Sequence, residues 1–267
     1  MIGTRTPSHL NMTNNHLPII EKALAPSVRV FFSQRGKIID NDNYSSFNAC
    51  HYTGDIPSHI EQNRKALCQH FGISQENLII PRQTHSSNVS IIDHTPINGD
   101  RLTNVDGIVT NVRGVLLAVN TADCLPILLA DATAGVIAAV HSGWRGTVNR
   151  ISVNAINAMK SLGAEARNIK VFIGPSIKSC CFEVGDEVVE QFNRAFPQYN
   201  DIIISTTPRP HINLSQACIH SMIEVGIDIN NISDSGICSH CNYTDYFSAR
   251  RVGVNSGRTL SGVILEH

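Results

Sequence analysis

His85 in Gln83-Thr84-His85, Cys124 in Thr121-Ala122-Asp123-Cys124-Leu125-Pro126 and His141 in His141-Ser142-Gly143-Trp144-Arg145-Gly146 are two imidazoles and one thiol, each placed where strand-like sequence meets a turn. Zinc takes Cys sulfur and His nitrogen in tetrahedral geometry, and a catalytic site keeps three protein ligands with the fourth position open. This trio supplies that count. Two neutral imidazoles and one thiolate leave a net charge of about +1 on the site, enough to bring a bound water's pKa to about 7 and to polarise an oxygen. The same residues also permit a metal-free reading, in which His141 activates a Cys124 thiolate for acyl chemistry. Their separations along the chain leave that choice open.

A second candidate is Cys238-Ser239-His240-Cys241, a CxxC pair suited to ligating metal or cycling as a dithiol. It has no matching second CxxC, and Cys180-Cys181 can add thiols only if folding brings them near. Cys50, Cys68 and Cys218 lie in ordinary apolar or helical stretches and read as small core residues. Two further chemistries fail on the sequence. Cytidine-type zinc deaminases carry H-x-E followed by P-C-x-x-C; His59-Ile60-Glu61 and the CxxC are present, but Ile237 replaces the proline. His59 and Glu61 would also point about 200 degrees apart on one helix, both off its expected buried face. A multicopper oxidase needs paired H-x-H ligands and the chain has none, so copper is the weaker choice of metal.

The elements that must position these residues are short. β-branched apolar runs at Val28 to Phe32, Leu78 to Ile80, Val89 to Ile92, Gly107 to Val112, Val115 to Val119, Leu125 to Leu129 and Val136 to Val140 predict strands of a central sheet. Val136 to Val140 is apolar at every position, which fits a strand covered on both faces. Helices are expected from Pro57 to Phe71, Thr147 to Leu162, Asp186 to Phe196 and Leu214 to Val225, with further strands at Ile169 to Ile173 and Gly262 to Leu265. The class is therefore α/β or α+β. On the first helix Ile60, Leu67 and Phe71 form one apolar face, and Arg64 lies within about 40 degrees of its centre at 100 degrees per residue. An inward guanidinium needs a partner: either it snorkels or joins a structural ion pair, or it clamps an anion such as phosphate.

Composition limits the rest. The chain has 267 residues, 42% of them apolar, enough for a full core, and 21 Lys plus Arg nearly cancel 22 Asp plus Glu. No nucleic-acid or membrane surface driven by net charge is expected, and a small polar substrate is. No apolar run reaches the roughly 20 residues that span a bilayer, and Met1 to Asn15 lacks the apolar core of a signal peptide, so the reading is cytoplasmic. Residues 1–27 read as a mobile lead-in, and residues 28–267, without a Pro/Gly-rich linker, as a single catalytic domain. The oligomeric state, monomer or homodimer, is not fixed by the sequence.

From Val28 to Leu265 the chain resembles the YfiH-type or laccase-domain family, once called multicopper polyphenol oxidoreductases and now regarded as purine nucleoside phosphorylases. The resemblance rests on Ser46-Phe47-Asn48, Gly54-Asp55, Asn63-Arg64, Gln83-Thr84-His85, Asp106-Gly107-Ile108-Val109-Thr110 and the Cys124 and His141 motifs. Ile173-Gly174-Pro175-Ser176-Ile177, Phe182-Glu183-Val184-Gly185 and Phe247-Ser248-Ala249-Arg250-Arg251 follow in the family's order. It implies an α/β sandwich, a mixed sheet flanked by helices, shared with certain toxin deamidases that use a Cys-His pair. It also implies zinc on His85, Cys124 and His141, and phosphate-dependent cleavage of adenosine, inosine or guanosine, with adenosine deamination and methylthioadenosine phosphorolysis beside it. Arg64, Asn48, Arg145 and Glu183 are then expected at the nucleoside and phosphate site. A cysteine-histidine hydrolase or amidase, on peptidoglycan precursors for example, and a copper polyphenol oxidase are the alternatives. Ser86 for Gly, Ser142 for Ala, Phe182 for Tyr and Ala249 for a larger ring depart from the usual pattern and bear on substrate preference.

Overall fold

Residues alternate along β-strands between two faces, and in the computed structural model, which describes residues 17–39, 42–205 and 208–267, both faces of the strands around the site are covered. The first half of the chain gives β1 (Ile19–Ala25), β2 (Val28–Ser33), α1 (Pro57–Phe71), β3 (Leu78–Ile79), β4 (Val89–Ile92), β5 (Gly107–Thr110), β6 (Leu116–Thr121), β7 (Leu125–Asp131) and β8 (Val136–Ser142). The second gives α2 (Trp144–Val148), α3 (Ile151–Ser161), β9 (Lys170–Ile173), α4 (Asp186–Ala195), β10 (Ile203–Ile204), β11 (His211–Ile212), α5 (Leu214–Glu224), β12 (Ile232–Asp234), α6 (Ala249–Val252) and β13 (Thr259–Leu265). The α/β sandwich is thus present, with its strands divided between two mixed sheets, ordered β1-β2-β13-β6-β3 and β12-β9-β7-β8-β5-β4; β10 and β11 pair separately.

Strand β8 shows why the layers form. Val136, Ala138 and Val140 face α3, α4 and α5, packing with Ile156, Met159, Phe192 and Met222, while Ile137 and Ala139 face the other sheet. Between the sheets Phe32, Leu117, Val119 and Val263 meet Ile108, Leu128, Ala139 and Phe172. On the far side of the five-stranded sheet, Phe31, Leu116, Ala118 and Leu260 pack against Leu67 and Phe71 of α1. The order of layers is helix, sheet, sheet, helices. No helix among the described residues is long and apolar enough to cross a membrane.

Three expectations change. Residues 19–25, assigned to the lead-in, form β1, antiparallel to β2 at the edge of its sheet; four of its seven residues are exposed, which hid the apolar pattern. Residues 1–16 of that lead-in lie outside the described residues. The helix expected over 147–162 begins earlier and is broken, because Arg150 adopts a left-handed φ of 58° between α2 and α3. Its guanidinium holds that kink by bonding Glu224, Ser221 and the Ala195 carbonyl and lying over Phe196. Finally, His59 lies on the buried side of α1, where its ring nitrogens meet Asp55 Oδ2 at 2.8 Å and the Ser46 carbonyl at 3.1 Å. The buried stripe of α1 is wider than its apolar residues because one edge is a polar network with Asn48 and Asn63.

Candidate functional site

Each of the three candidate ligands comes from a different structural device. His141 is the next-to-last residue of strand β8, opposite Pro126 of β7. Cys124 sits at the corner where the chain leaves β6 in one sheet and enters β7 in the other. His85 lies in the loop between β3 and β4. The ligand atoms of the three lie within 4.8 Å of one another, and the two imidazoles meet edge to face with centroids 4.9 Å apart.

Asp106, immediately before β5 and fully buried, organises two of them. One carboxylate oxygen accepts His141 Nδ1 at 2.7 Å and the His85 N–H at 3.0 Å. The other accepts the N–H groups of Thr84 at 3.1 Å and Ser86 at 2.8 Å and the Ser86 hydroxyl at 2.7 Å. The Asp106 carbonyl takes the His141 N–H. Occupying Nδ1 fixes the His141 tautomer and leaves Nε2 to face the site. His85 itself has φ 63°, a left-handed conformation uncommon for a non-glycine residue; three consecutive N–H groups wrapped on one carboxylate hold it there. Burial pushes the Asp106 carboxyl up, but His141 and the Ser86 hydroxyl more than offset this and hold it at about 2. Ser86, a departure from the usual family glycine, therefore has a local use.

Cys124 and His141 shift in opposite directions. Burial raises the thiol, yet the His141 imidazolium and hydrogen bonds from both imidazoles bring it down to about 6. For His141 burial acts downward, and the Cys124 and Asp106 charges and hydrogen bonds lift it to about 9. Each charge favours the other, so the pair is drawn toward a thiolate and an imidazolium. Asp123 aims Cys124: its φ is 93°, and its carboxylate accepts Ser239 Oγ and the Arg250 N–H, both at 2.7 Å, while its carbonyl takes the Ile177 N–H. Gly143 leaves the room. A Cβ there would stand 2.9 Å from His85 Cδ2 and 3.0 Å from Cys124 Sγ.

The other expected residues divide. Arg64 on α1 is half-buried and donates Nε to the Ala49 carbonyl and Nη2 to His51 Nδ1, each at 2.9 Å; neither partner is an acid. Arg82 lies close enough to act on His51 too, and burial together with Arg64 and Arg82 pushes that imidazole's pKa down. Tyr52 ties this basic loop to the loop that carries His85 by donating to Gln83 Oε1 at 3.3 Å. Asn48 is fully buried, its amide bonded to Asp55 and Thr53 and its carbonyl oxygen to the N–H groups of Cys50 and Arg258, so it shapes the loop from within. Arg145 is exposed and lies over the Trp144 ring at 4.3 Å. Glu183 pairs with Arg209 at 2.9 Å, and its carbonyl accepts Arg250. The departures Phe182 and Ala249 line one cavity of about 360 Å3, with Asp123, Ile177, Arg250 and Val254; it opens beside the Cys124 corner.

Sequence reasoning did not assign roles to Asp106, Asp123 or Gly143. Asp106, Asp123 and Gly143 all lie inside the motifs around the candidate ligands and strands, but nothing in a single chain marks a carboxylate as a hub or a glycine as a steric vacancy. Asn120 was also missed: buried on β6 beside Tyr52, its side chain makes no well-formed hydrogen bond, while Gln83 bonds its backbone.

The sequence matches the family described as multi-copper polyphenol oxidoreductase laccase over residues 29–266. It is 41% identical over 244 residues to a protein named adenosine deaminase RL5 from an unknown prokaryotic organism, covering 88% of this chain and 93% of that one. It is 35% identical over 232 residues to a purine nucleoside phosphorylase of Bacteroides thetaiotaomicron, covering 84% and 86%. Among solved structures, YlmD from Geobacillus stearothermophilus superposes with a TM-score of 0.82 at 25% identity, over 91% of this chain and 94% of that one. The Neisseria meningitidis protein NMB0706 gives 0.81 at 26% identity, over 94% and 100%.

Proposed function

The chain belongs to the multi-copper polyphenol oxidoreductase laccase family, the YfiH-type proteins, and from that premise we propose that it is a zinc-dependent purine nucleoside phosphorylase. In the proposed reaction, inorganic phosphate forms a bond to C1′ of adenosine, inosine or guanosine as the bond to the purine nitrogen breaks, and the base leaves with a proton. Adenosine deamination and methylthioadenosine phosphorolysis accompany it. The observation that carries the reading is the converging His85, Cys124 and His141 set, with His141 held by Asp106 in the tautomer a metal ligand needs. Names borne by the relatives, a phosphorylase and an adenosine deaminase, support the substrate class.

The residues present fit a tetrahedral ion: two imidazoles and a thiolate, a carboxylate behind one imidazole, and a glycine in place of any side chain that would fill the gap. This donor set suits zinc, and the missing H-x-H pairs weigh against a copper cluster. Zinc, when bound, supplies Lewis-acid polarisation of a ligand oxygen at its open position. The protein's own groups do the rest. Asp106 fixes ring orientation, Asp123 fixes the thiolate, and Arg64 with Arg82 offers cationic donors that no carboxylate among the described residues already occupies, while His51, its pKa pushed down beside them, accepts from Arg64. Incubation with inosine and phosphate is expected to give hypoxanthine and ribose 1-phosphate in equal amounts. Chelation is expected to stop turnover while the melting curve stays cooperative. No base release under these conditions with metal-loaded protein overturns the assignment.

The Asp106–His141–Cys124 chain also has the layout of a thiolate nucleophile with an oriented base. Amide or ester hydrolysis that survives chelation and is lost on alkylating Cys124 would favour that second reading.

Arg64 gives a separate prediction. Arg64→Met keeps the length and removes the charge, and it is expected to raise the phosphate KM by about tenfold or more, the loss of a charge-assisted hydrogen-bonded contact. The melting temperature should move by only a few degrees, because its present partners are one carbonyl and one imidazole. A phosphate KM unchanged in a folded variant would remove Arg64 from the site.

A further inference from the structure

Cys180 and Cys181 lie in the turn after β9, and Cys238 and Cys241 lie 57 or more residues later in the segment after β12, yet their sulfurs converge: all four lie within 4.8 Å of one another. We propose that these four cysteines hold a second metal ion, a structural zinc separate from the His85–Cys124–His141 set.

The distances suit an ion better than a disulfide. Four sulfurs bonded to zinc at about 2.3 Å in a tetrahedron stand about 3.8 Å apart. Cys180 and Cys241 sulfurs are 3.8 Å apart and those of Cys181 and Cys241 3.4 Å. A disulfide needs about 2.05 Å, and all four are free thiols. Cys238, the most buried of them, has its sulfur against the backbone N–H groups of Lys178 and Cys241, donors that stabilise a thiolate. Four protein ligands close the coordination sphere, which is the arrangement of a structural site and leaves no position for substrate.

What such an ion would fasten is visible. The 176–182 turn and the 237–242 segment are already laced by Ser176 N–H to the Ile237 carbonyl and Ser239 N–H to the Ser176 carbonyl. Ser239, inside the CxxC, donates to Asp123, the residue that aims Cys124. The same two segments lead into Ile177, Phe182, Ala249 and Arg250 of the 360 Å3 cavity. The ion would therefore brace the wall of that cavity and, through Ser239 and Asp123, the position of the Cys124 thiolate. None of this depends on which nucleoside the cavity takes.

The test is metal counting on the full chain, purified without chelator after growth with added zinc. Wild type is expected to carry about two zinc ions, and both Cys124→Ala and the double variant Cys238→Ser/Cys241→Ser about one. Cobalt loading guards against a misfolded double variant: Cys124→Ala should still show the intense sulfur-to-cobalt absorption of a four-thiolate site, which two imidazoles alone cannot give. A single ion in wild type that disappears in Cys124→Ala, with no thiolate–cobalt band left, overturns the proposal. So does a thiol titration of freshly unfolded wild type that finds two fewer than the eight cysteines, which would make the cluster a disulfide-forming pair.

Discussion

Asp106→Asn is expected to weaken zinc binding by about 10- to 100-fold, the usual cost of losing a carboxylate behind a metal-bound imidazole, and to lower turnover with it. The substitution changes few atoms but reverses part of the hydrogen bonding. The aspartate accepts five hydrogen bonds through its two oxygens, from Thr84, His85, Ser86 twice and His141. An asparagine presents one oxygen and one NH2, so either His141 with the His85 N–H or the Thr84 and Ser86 donors must face a donor. The site is fully buried, where each unmet donor costs about 1–3 kcal/mol. At about 2–4 °C per kcal/mol for a chain of this size, the melting temperature should fall by roughly 5–10 °C. The pH profile adds a signature. With its folded pKa at about 2, below an unfolded value near 3.8, Asp106 contributes stability that is fully present above the unfolded value and lost as pH falls toward 2. That contribution is about 2 kcal/mol, and the variant should lack its share of acid sensitivity in that window. A variant with unchanged zinc affinity and melting temperature would show that Asp106 does not organise the site.

How much of this could be seen in one chain follows from the kind of interaction involved. The runs 125–129 of β7 and 136–140 of β8 were legible because full burial on both faces leaves apolar residues at each of those positions. Which strands pair was not, since β13 joins β2 and β6 across most of the chain length, and no local pattern encodes such a pairing. The division into two sheets stayed hidden for that reason, and β1 because an edge strand with one solvated face has few apolar residues to display. At the site, residue type announced His85, Cys124 and His141, since imidazole and thiol are uncommon and chemically specific. Asp106 and Asp123 are ordinary carboxylates until folding surrounds them with donors. Arg64 was placed correctly at the edge of the α1 core by helical period alone, but the same geometry on His59 failed, because the helix buries a polar network that hydrophobicity does not register. The four-cysteine cluster is the plainest case. Adjacent Cys180 and Cys181 and a lone CxxC carry no shared spacing, and the parallel bridge between Ser176 and Cys238 joins them.

Gly143→Ala is expected to reduce turnover by about 10²-fold while leaving the fold nearly intact. Its φ of −73° and ψ of 173° suit any residue, so backbone strain plays no part in the effect. The added carbon would instead stand 2.9 Å from His85 Cδ2 and 3.0 Å from Cys124 Sγ. Neither neighbour yields freely: His85 is pinned through its backbone by Asp106, and Cys124 by the corner that Asp123 secures. One of the two must shift by several tenths of an ångström or more, and displacements approaching 1 Å in a reacting constellation cost about 10²-fold. Stability should suffer little: alanine is a poorer N-cap than glycine, but Gly143 makes no side-chain cap bond that could be lost, and the change at the start of α2 costs about 1 kcal/mol. Gly99→Ala is a matched control, since a Cβ there meets nothing within 4 Å. Zinc content, kcat and melting temperature measured on both variants separate the causes. Loss of zinc or of kcat confined to position 143, with similar melting temperatures, would locate the effect in the space between His85 and Cys124. Full zinc and full turnover in Gly143→Ala would mean that these two side chains do not act at the separation seen in the structure, and the three-ligand site would fall with it.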